Sequence, residues 1–390
     1  MRLQIACAST LFAGVVIICF LPGMAFSQVG DKKQERQRPR QFGIVIGVLP
    51  TGRLNSITDV FGVKVGQVTL IKGDSVRTGV TAILPHGGNI FQEKVPGAVF
   101  VGNGFGKLAG STQVEELGNI ESPIVLTNTL NVPSAATGII QYTLQQAGND
   151  KVASVNALVG ETNDGWLNNI RAQYVQIADV MQAIRTAGTE QVLEGNVGAG
   201  TGTVCFGFKG GIGTASRKLP ASLGGYTVGV LVQTNFGGVL QVDGVPVGEE
   251  LRKFSFSQEI LQDVDGSCMM VVATDAPIDA RNLKRLAKRA FLGLGRTGGI
   301  ASNGSGDYVI AFSTAPGLRI PHESKSSLQN QQTLTNDAMS PLFMAAIEAT
   351  EEAIINSLFM ATDMQGFGGH TVQALPLEET LKIIRKYNRR

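Results

Sequence analysis

Gly266-Ser267-Cys268-Met269-Met270-Val271-Val272-Ala273-Thr274 is the stretch on which the reading of this chain turns. Seven apolar or small residues in a row, bounded by a glycine turn on one side and Asp275 on the other, describe a strand buried on both faces, the kind that occurs where helices cover a sheet. The glycine places a serine at the lip of that strand. If the backbone is cut before Ser267, its own α-amine becomes a base beside its hydroxyl, which is a nucleophile's arrangement. A turn that merely delivers the chain into the strand explains the pair equally well when it stands alone.

Ahead of this strand the chain opens on a segment that does not belong to a fold. Met1-Arg2, an apolar run from Ile5 to Phe20, and Ala25-Phe26-Ser27 read as a signal peptide over residues 1–27, with cleavage before Gln28. Residues 28–41 are dense in charge and are expected to form a flexible polar leader, with the catalytic domain occupying 42–390. The expected location is therefore periplasmic or secreted. Cys7 and Cys19 leave with the signal, and Cys205 and Cys268 remain in apolar strands, where free buried thiols are commoner than a bridge. The three histidines are scattered, so no metal site is expected, and a formal net charge of +2 gives no reason to expect nucleic acid or a membrane surface as a partner.

The body alternates strands and helices. Strands are expected at 97–101, 123–127, 152–160, 203–208, 226–234, 268–274 and 308–313, and helices at 135–146, 177–187, 279–294, 342–360 and 377–387. This pattern implies an α/β sandwich. Two glycine-rich stretches suggest phosphate binding and fail on inspection. Gly293-Leu294-Gly295-Arg296-Thr297-Gly298 follows a helix instead of a strand, and Phe208 to Arg217 has its lysine ahead of the glycines.

Three segments place polar groups where strands end. Asn235, after the apolar run ending at Val232, has an amide able to donate to a developing oxyanion, or to cap a turn. Ser305 and Asp307, two apart, are expected on one side of the strand that follows, as a proton-orienting pair or as a hairpin turn. Glu161, Asn163 and Trp166 put a carboxylate beside the single tryptophan, an arrangement suited to a substrate ammonium or simply to a surface loop.

In order along the chain, Asn55 to Val60, Leu126 to Leu130, Gly160 to Gly165, Gly207 to Arg217, Val232 to Gly237, Gly266-Ser267 and Ser302 to Asp307 resemble the signature blocks of the L-aminopeptidase/D-alanyl esterase-amidase family, which includes the β-peptidyl aminopeptidases. The resemblance implies a four-layer αββα sandwich like that of N-terminal nucleophile hydrolases, with the different connectivity shared by ornithine acetyltransferases. It implies a precursor that cuts itself between Gly266 and Ser267 into chains 28–266 and 267–390 that stay associated, assembling as a homotetramer. It makes Ser267 the nucleophile and its freed amine the base, Asn235 the oxyanion donor, Ser305 and Asp307 the Ser-x-acid pair, and Glu161 the holder of the substrate's free amine. Asn163 and Trp166 fall in the same substrate-binding block. The activity implied is release of N-terminal residues from small peptides, amides or esters, without a cofactor. Two positions depart from the pattern: Asp307 is one methylene shorter than the glutamate of many β-peptide-cleaving members, and Asn163 stands where some members carry tyrosine. An acyltransferase that resolves the acyl-enzyme with an amine, or a periplasmic binding protein on the same scaffold, are the alternatives.

Overall fold

The computed structural model describes residues 36–255, 266–324 and 326–387. The signal-peptide reading lies outside them. The strand Ser267–Thr274 runs near the centre of a seven-stranded sheet, and all eight of its residues are buried. Its side chains alternate between two cores: Met269, Val271 and Ala273 point into a cluster between two sheets, while Cys268, Met270 and Val272 point into a second cluster shared with helices. That double burial is why its sequence is continuously apolar.

The facing five-stranded sheet carries Ile124–Asn128 and Leu158–Thr162 as parallel neighbours, and its outer face is covered by the helices Val132–Leu144 and Ile177–Arg185. The seven-stranded sheet is covered by Ala280–Arg296 and Ser340–Met360. Two sheets face to face with helices outside make the four-layer αββα sandwich. Most pairings in the larger sheet are antiparallel. The exception joins Ser267–Thr274 to Gly306–Ser313 in parallel through the helix Ala280–Arg296, a crossover connection.

The expected helices all form, with ends shifted by a few residues. The strand expected over 152–160 is shorter, Leu158–Thr162, and the one over 203–208 is a small hairpin turned at Phe206, whose φ is 52°. Among the described residues, three strands of eight or nine residues were not expected: the hairpin Lys64–Lys72 with Val76–Leu84, and Gly211–Lys218. The last reads as a glycine-rich loop because its glycines serve packing. A Cβ at Gly213 would sit 1.9 Å from the carbonyl oxygen of Ala353, so only glycine lets the helix Ser340–Met360 lie this close to the strand.

The leader is a correction. Residues 36–41 are not a solvated tail: Arg38 pairs with Glu194, Arg40 with Glu352, Arg36 donates to the Leu375 carbonyl, and Pro39 is buried. One compact unit runs from Arg36 onward. The basic residues of that segment have partners because buried carboxylates await them. Glu352 and Glu348 on the long helix also meet the fully buried Arg217, at 2.7 and 2.9 Å, in a network that no sequence periodicity announces.

Candidate active site

Sheet register assembles the site. Ser267 is the first residue of its strand, paired across to Asn235 on one side and to Gly306 on the other. Gly266 approaches the neighbouring chain so closely that a Cβ there would lie 2.2 Å from the Asn235 carbonyl oxygen. The Gly306 N–H donates both to the Gly266 carbonyl and to Ser267 Oγ, each at 3.2 Å. One donor thus touches the carbonyl that precedes Ser267 and the hydroxyl able to attack it.

Asn235 is 5 % exposed and its side chain is held by the oxygen: Oδ1 accepts from the Val204 N–H at 2.9 Å. The amide nitrogen is the end left to donate, which is what an oxyanion site needs.

Asp307 is fully buried beside Cys268, whose N–H donates to its Oδ1 at 3.1 Å. Burial raises its carboxyl to about 6, against the opposing pull of Ser305 and the Cys268 N–H. Ser305 precedes the strand Gly306–Ser313, anchored by its carbonyl, which accepts from Phe105 and Asn103. Its hydroxyl is near enough to hold the acid down but does not reach full hydrogen-bond geometry, since Ser305 Oγ and Asp307 Oδ2 are both buried without a hydrogen-bond partner among the described residues. Unsatisfied buried groups of this kind cost about 1–3 kcal/mol each, and they persist where a further group is to be received.

Glu161 is the last residue but one of the strand Leu158–Thr162 and is 2 % exposed. Its Oε1 accepts from the Lys107 N–H at 3.0 Å and its Oε2 from the Thr129 hydroxyl. The Lys107 ammonium stands 3.9 Å from Oε1 while its side chain remains half exposed, so this buried carboxylate already faces one cationic group. Gly106 lies against both Glu161 and the Tyr308 ring, and burial raises the Tyr308 phenol, with Glu161 and Asp307 adding to the effect. The carboxylates of Glu161 and Asp307 therefore both face one aromatic ring.

Asn163 and Trp166 are placed differently. Asn163 is exposed and its Oδ1 accepts from the Gly165 N–H in a local turn, and Trp166, 52 % exposed, stacks on His370 with ring centroids 3.8 Å apart. Among the described residues no hydrogen bond or ring contact joins either of them to Glu161 or Ser267. The buried acid of that loop is Asp164, pushed up to about 7 by desolvation and held by Asn168.

Sequence reasoning missed Thr129, whose hydroxyl donates to Glu161 Oε2. It also missed Gln233, whose Nε2 donates to Thr127 O, Thr162 Oγ1 and Ala199 O and so ties the two sheets together two residues from Asn235. Both lay inside quoted blocks, and only the register shows what they touch. Cys205 and Cys268 are free and buried.

The sequence profile of peptidase family S58 matches residues 55–372, which take in every site residue named above. The chain belongs to peptidase family S58. Its curated relatives include the β-peptidyl aminopeptidase BapA of Sphingosinicella microcystinivorans, 40 % identical over 92 % of this chain and 95 % of that protein. The enzyme of the same name from Sphingosinicella xenopeptidilytica is 34 % identical over 89 % and 91 %. Among solved structures, a Burkholderia sp. β-aminopeptidase superposes with a TM-score of 0.83 at 39 % identity, covering 90 % of this chain and 99 % of its own. The L-aminopeptidase D-Ala-esterase/amidase from Ochrobactrum anthropi, a variant of the Ntn hydrolase fold, gives 0.82 at 36 % with the same coverage. This S58 chain is an N-terminal nucleophile serine aminopeptidase.

Proposed function

We propose that this S58 chain is exported, cuts itself between Gly266 and Ser267, and then releases N-terminal residues from small peptides, amides or esters through an acyl-enzyme on Ser267. The observation that carries the reading is the Gly306 N–H shared between the Gly266 carbonyl and Ser267 Oγ. In the precursor, Oγ attacks the Gly266 carbonyl carbon, the peptide C–N bond breaks, the proton passes to the departing amine, and an ester remains. Water hydrolyses that ester, leaving chains that end at Gly266 and begin at Ser267. The freed α-amine, with a reference pKa of about 7.7–8.0, then takes the Oγ proton during attack on a substrate and returns it to the leaving amine. Asn235 Nδ2 donates to the tetrahedral oxyanion, and Glu161 pairs with the substrate's ammonium where Lys107 now approaches.

The similarity to proteins named β-peptidyl aminopeptidases supports a substrate whose scissile bond is a short β- or α-aminoacyl amide. The two chains remain associated, since Ser267–Thr274 stays inserted between the strands on either side of it. A homotetramer of processed protomers is part of this reading. Mass spectrometry of the purified protein tests it. Two chains meeting at Gly266 and Ser267 are expected, with one uncut and inactive chain for Ser267→Ala. A fully active protein that stays unbroken across this bond would overturn it.

A further inference from the structure

Lys209 is fully buried, yet among the described residues no carboxylate stands at ion-pair distance from it. Its Nζ donates to three backbone carbonyls, Gly200 at 3.0 Å, Thr203 at 2.8 Å and Gly210 at 2.8 Å, which satisfies all three of its donors. Fully buried lysines are rare and costly. Desolvation lowers this one to about 7, with Cys205 and Asp164 the titratable groups that pull it back up. Packing alone would be served better by an apolar side chain of the same length, so the charge is retained for what it orients.

Thr203 O and Val204 N–H are the two ends of one planar peptide unit and point in opposite directions. Lys209 Nζ at 2.8 Å, together with the Gly210 N–H at 3.1 Å, holds the oxygen end, and the N–H end donates to Asn235 Oδ1 at 2.9 Å. An ammonium on the carbonyl also polarises the unit and strengthens its N–H as a donor. Asn235 in turn sits across from Ser267 in the sheet.

We propose that Lys209 is a positioning residue for the oxyanion site: by fixing the Thr203–Val204 peptide plane it locks Asn235 Oδ1 and aims Nδ2 at the carbonyl attacked by Ser267. This rests on the reading of Asn235 given above. A group that acts only through the oxyanion donor alters the chemical step and leaves substrate binding alone. It also acts twice, once in self-cleavage and again in each turnover.

The test measures self-cleavage, kcat and KM on a free-amine aminoacyl p-nitroanilide for Lys209→Met and Lys209→Ala, with thermal unfolding alongside. Lys209→Met is expected to lower kcat at least tenfold with KM within about twofold and to slow self-cleavage. In Lys209→Ala, methylammonium should recover kcat several-fold, whereas tetramethylammonium at equal ionic strength, which has no N–H to give, should not. A folded Lys209→Met with kcat within twofold of the parent overturns the proposal, as does recovery by both salts alike. If Lys209→Met does not fold, Val204→Pro removes the N–H of the same peptide and leaves Lys209 in place. The same loss of kcat is expected there, and an unchanged kcat overturns the proposal. An Asn235→Ala variant separates the two readings. If its kcat is unchanged, the oxyanion assignment itself fails; if its kcat collapses while that of Lys209→Met does not, only the role of Lys209 fails.

Discussion

Gly306 donates one backbone N–H to the carbonyl of Gly266, 3.2 Å away, from the neighbouring parallel strand, and the same N–H reaches the hydroxyl of Ser267. Parallel pairing sets this contact, because it brings the start of one strand beside the start of the next. The Gly266 carbonyl and the Ser267 hydroxyl are therefore gathered at an ordinary ladder position of the sheet.

Gly266→Ala should slow or abolish self-cleavage while Ser267 is untouched. The added methyl would lie 2.2 Å from the Asn235 carbonyl and 2.5 Å from Phe236 Cα, both backbone atoms that cannot swing aside. The bond must then move away from Gly306. Uncut chain on a denaturing gel, persisting for days, is the expected result, and prompt cleavage would show that the contact is not needed.

Asn235→Ala should reduce kcat by roughly 10²–10³, the cost of losing one oxyanion donor, with KM little changed. Steady-state kinetics on the processed enzyme decides it. A drop confined to KM would move Asn235 from the chemistry to substrate binding.

Glu161→Gln should raise KM for substrates with a free amine far more than it alters thermal stability, because the amide keeps the shape and loses the charge. N-acetylated p-nitroanilides should not be turned over by the parent enzyme. Equal rates on free and capped substrates would remove the ammonium from the account.

Asp307 gives a pH signature. Its carboxyl is raised to about 6 by burial, so activity that depends on the ionised acid should fall as pH drops through about 6. The stability effect runs the other way. A folded pKa above the unfolded one favours the folded state at low pH, and that contribution is lost between about 4 and 6 as pH rises. At pH 8, Asp307→Asn should therefore raise the melting temperature by a few degrees while lowering kcat. A fall in both would mean that the carboxylate supports the fold.

Arg217→Met should destabilise severely, by about 3–5 kcal/mol, because it leaves Glu348 and Glu352 buried without their shared partner. Arg40→Ala should cost less, since Arg217 still serves Glu352. Denaturant titration of both variants ranks them.

The sequence by itself determined the layers. A strand of Cys268 to Thr274 with no polar break can be satisfied only between two covered faces, and the amphipathic run from Asp279 had to be one of the covers. It also marked Ser267, Asn235, Glu161 and Asp307, though only through the ordered set of blocks in which they stand, since each alone reads as well as a turn, a cap or a surface loop. Tertiary structure decided which of these meet. Register put Asn235 opposite Ser267 and Cys268 opposite Asp307, and a one-residue slip would have turned each to the other face. It alone set Trp166 apart from Glu161 by stacking it on His370, and it alone bound Arg38 and Arg40 to the domain through carboxylates far along the chain. Local pattern encodes what a residue must bury, whereas a long-range partner is encoded only in the packed whole.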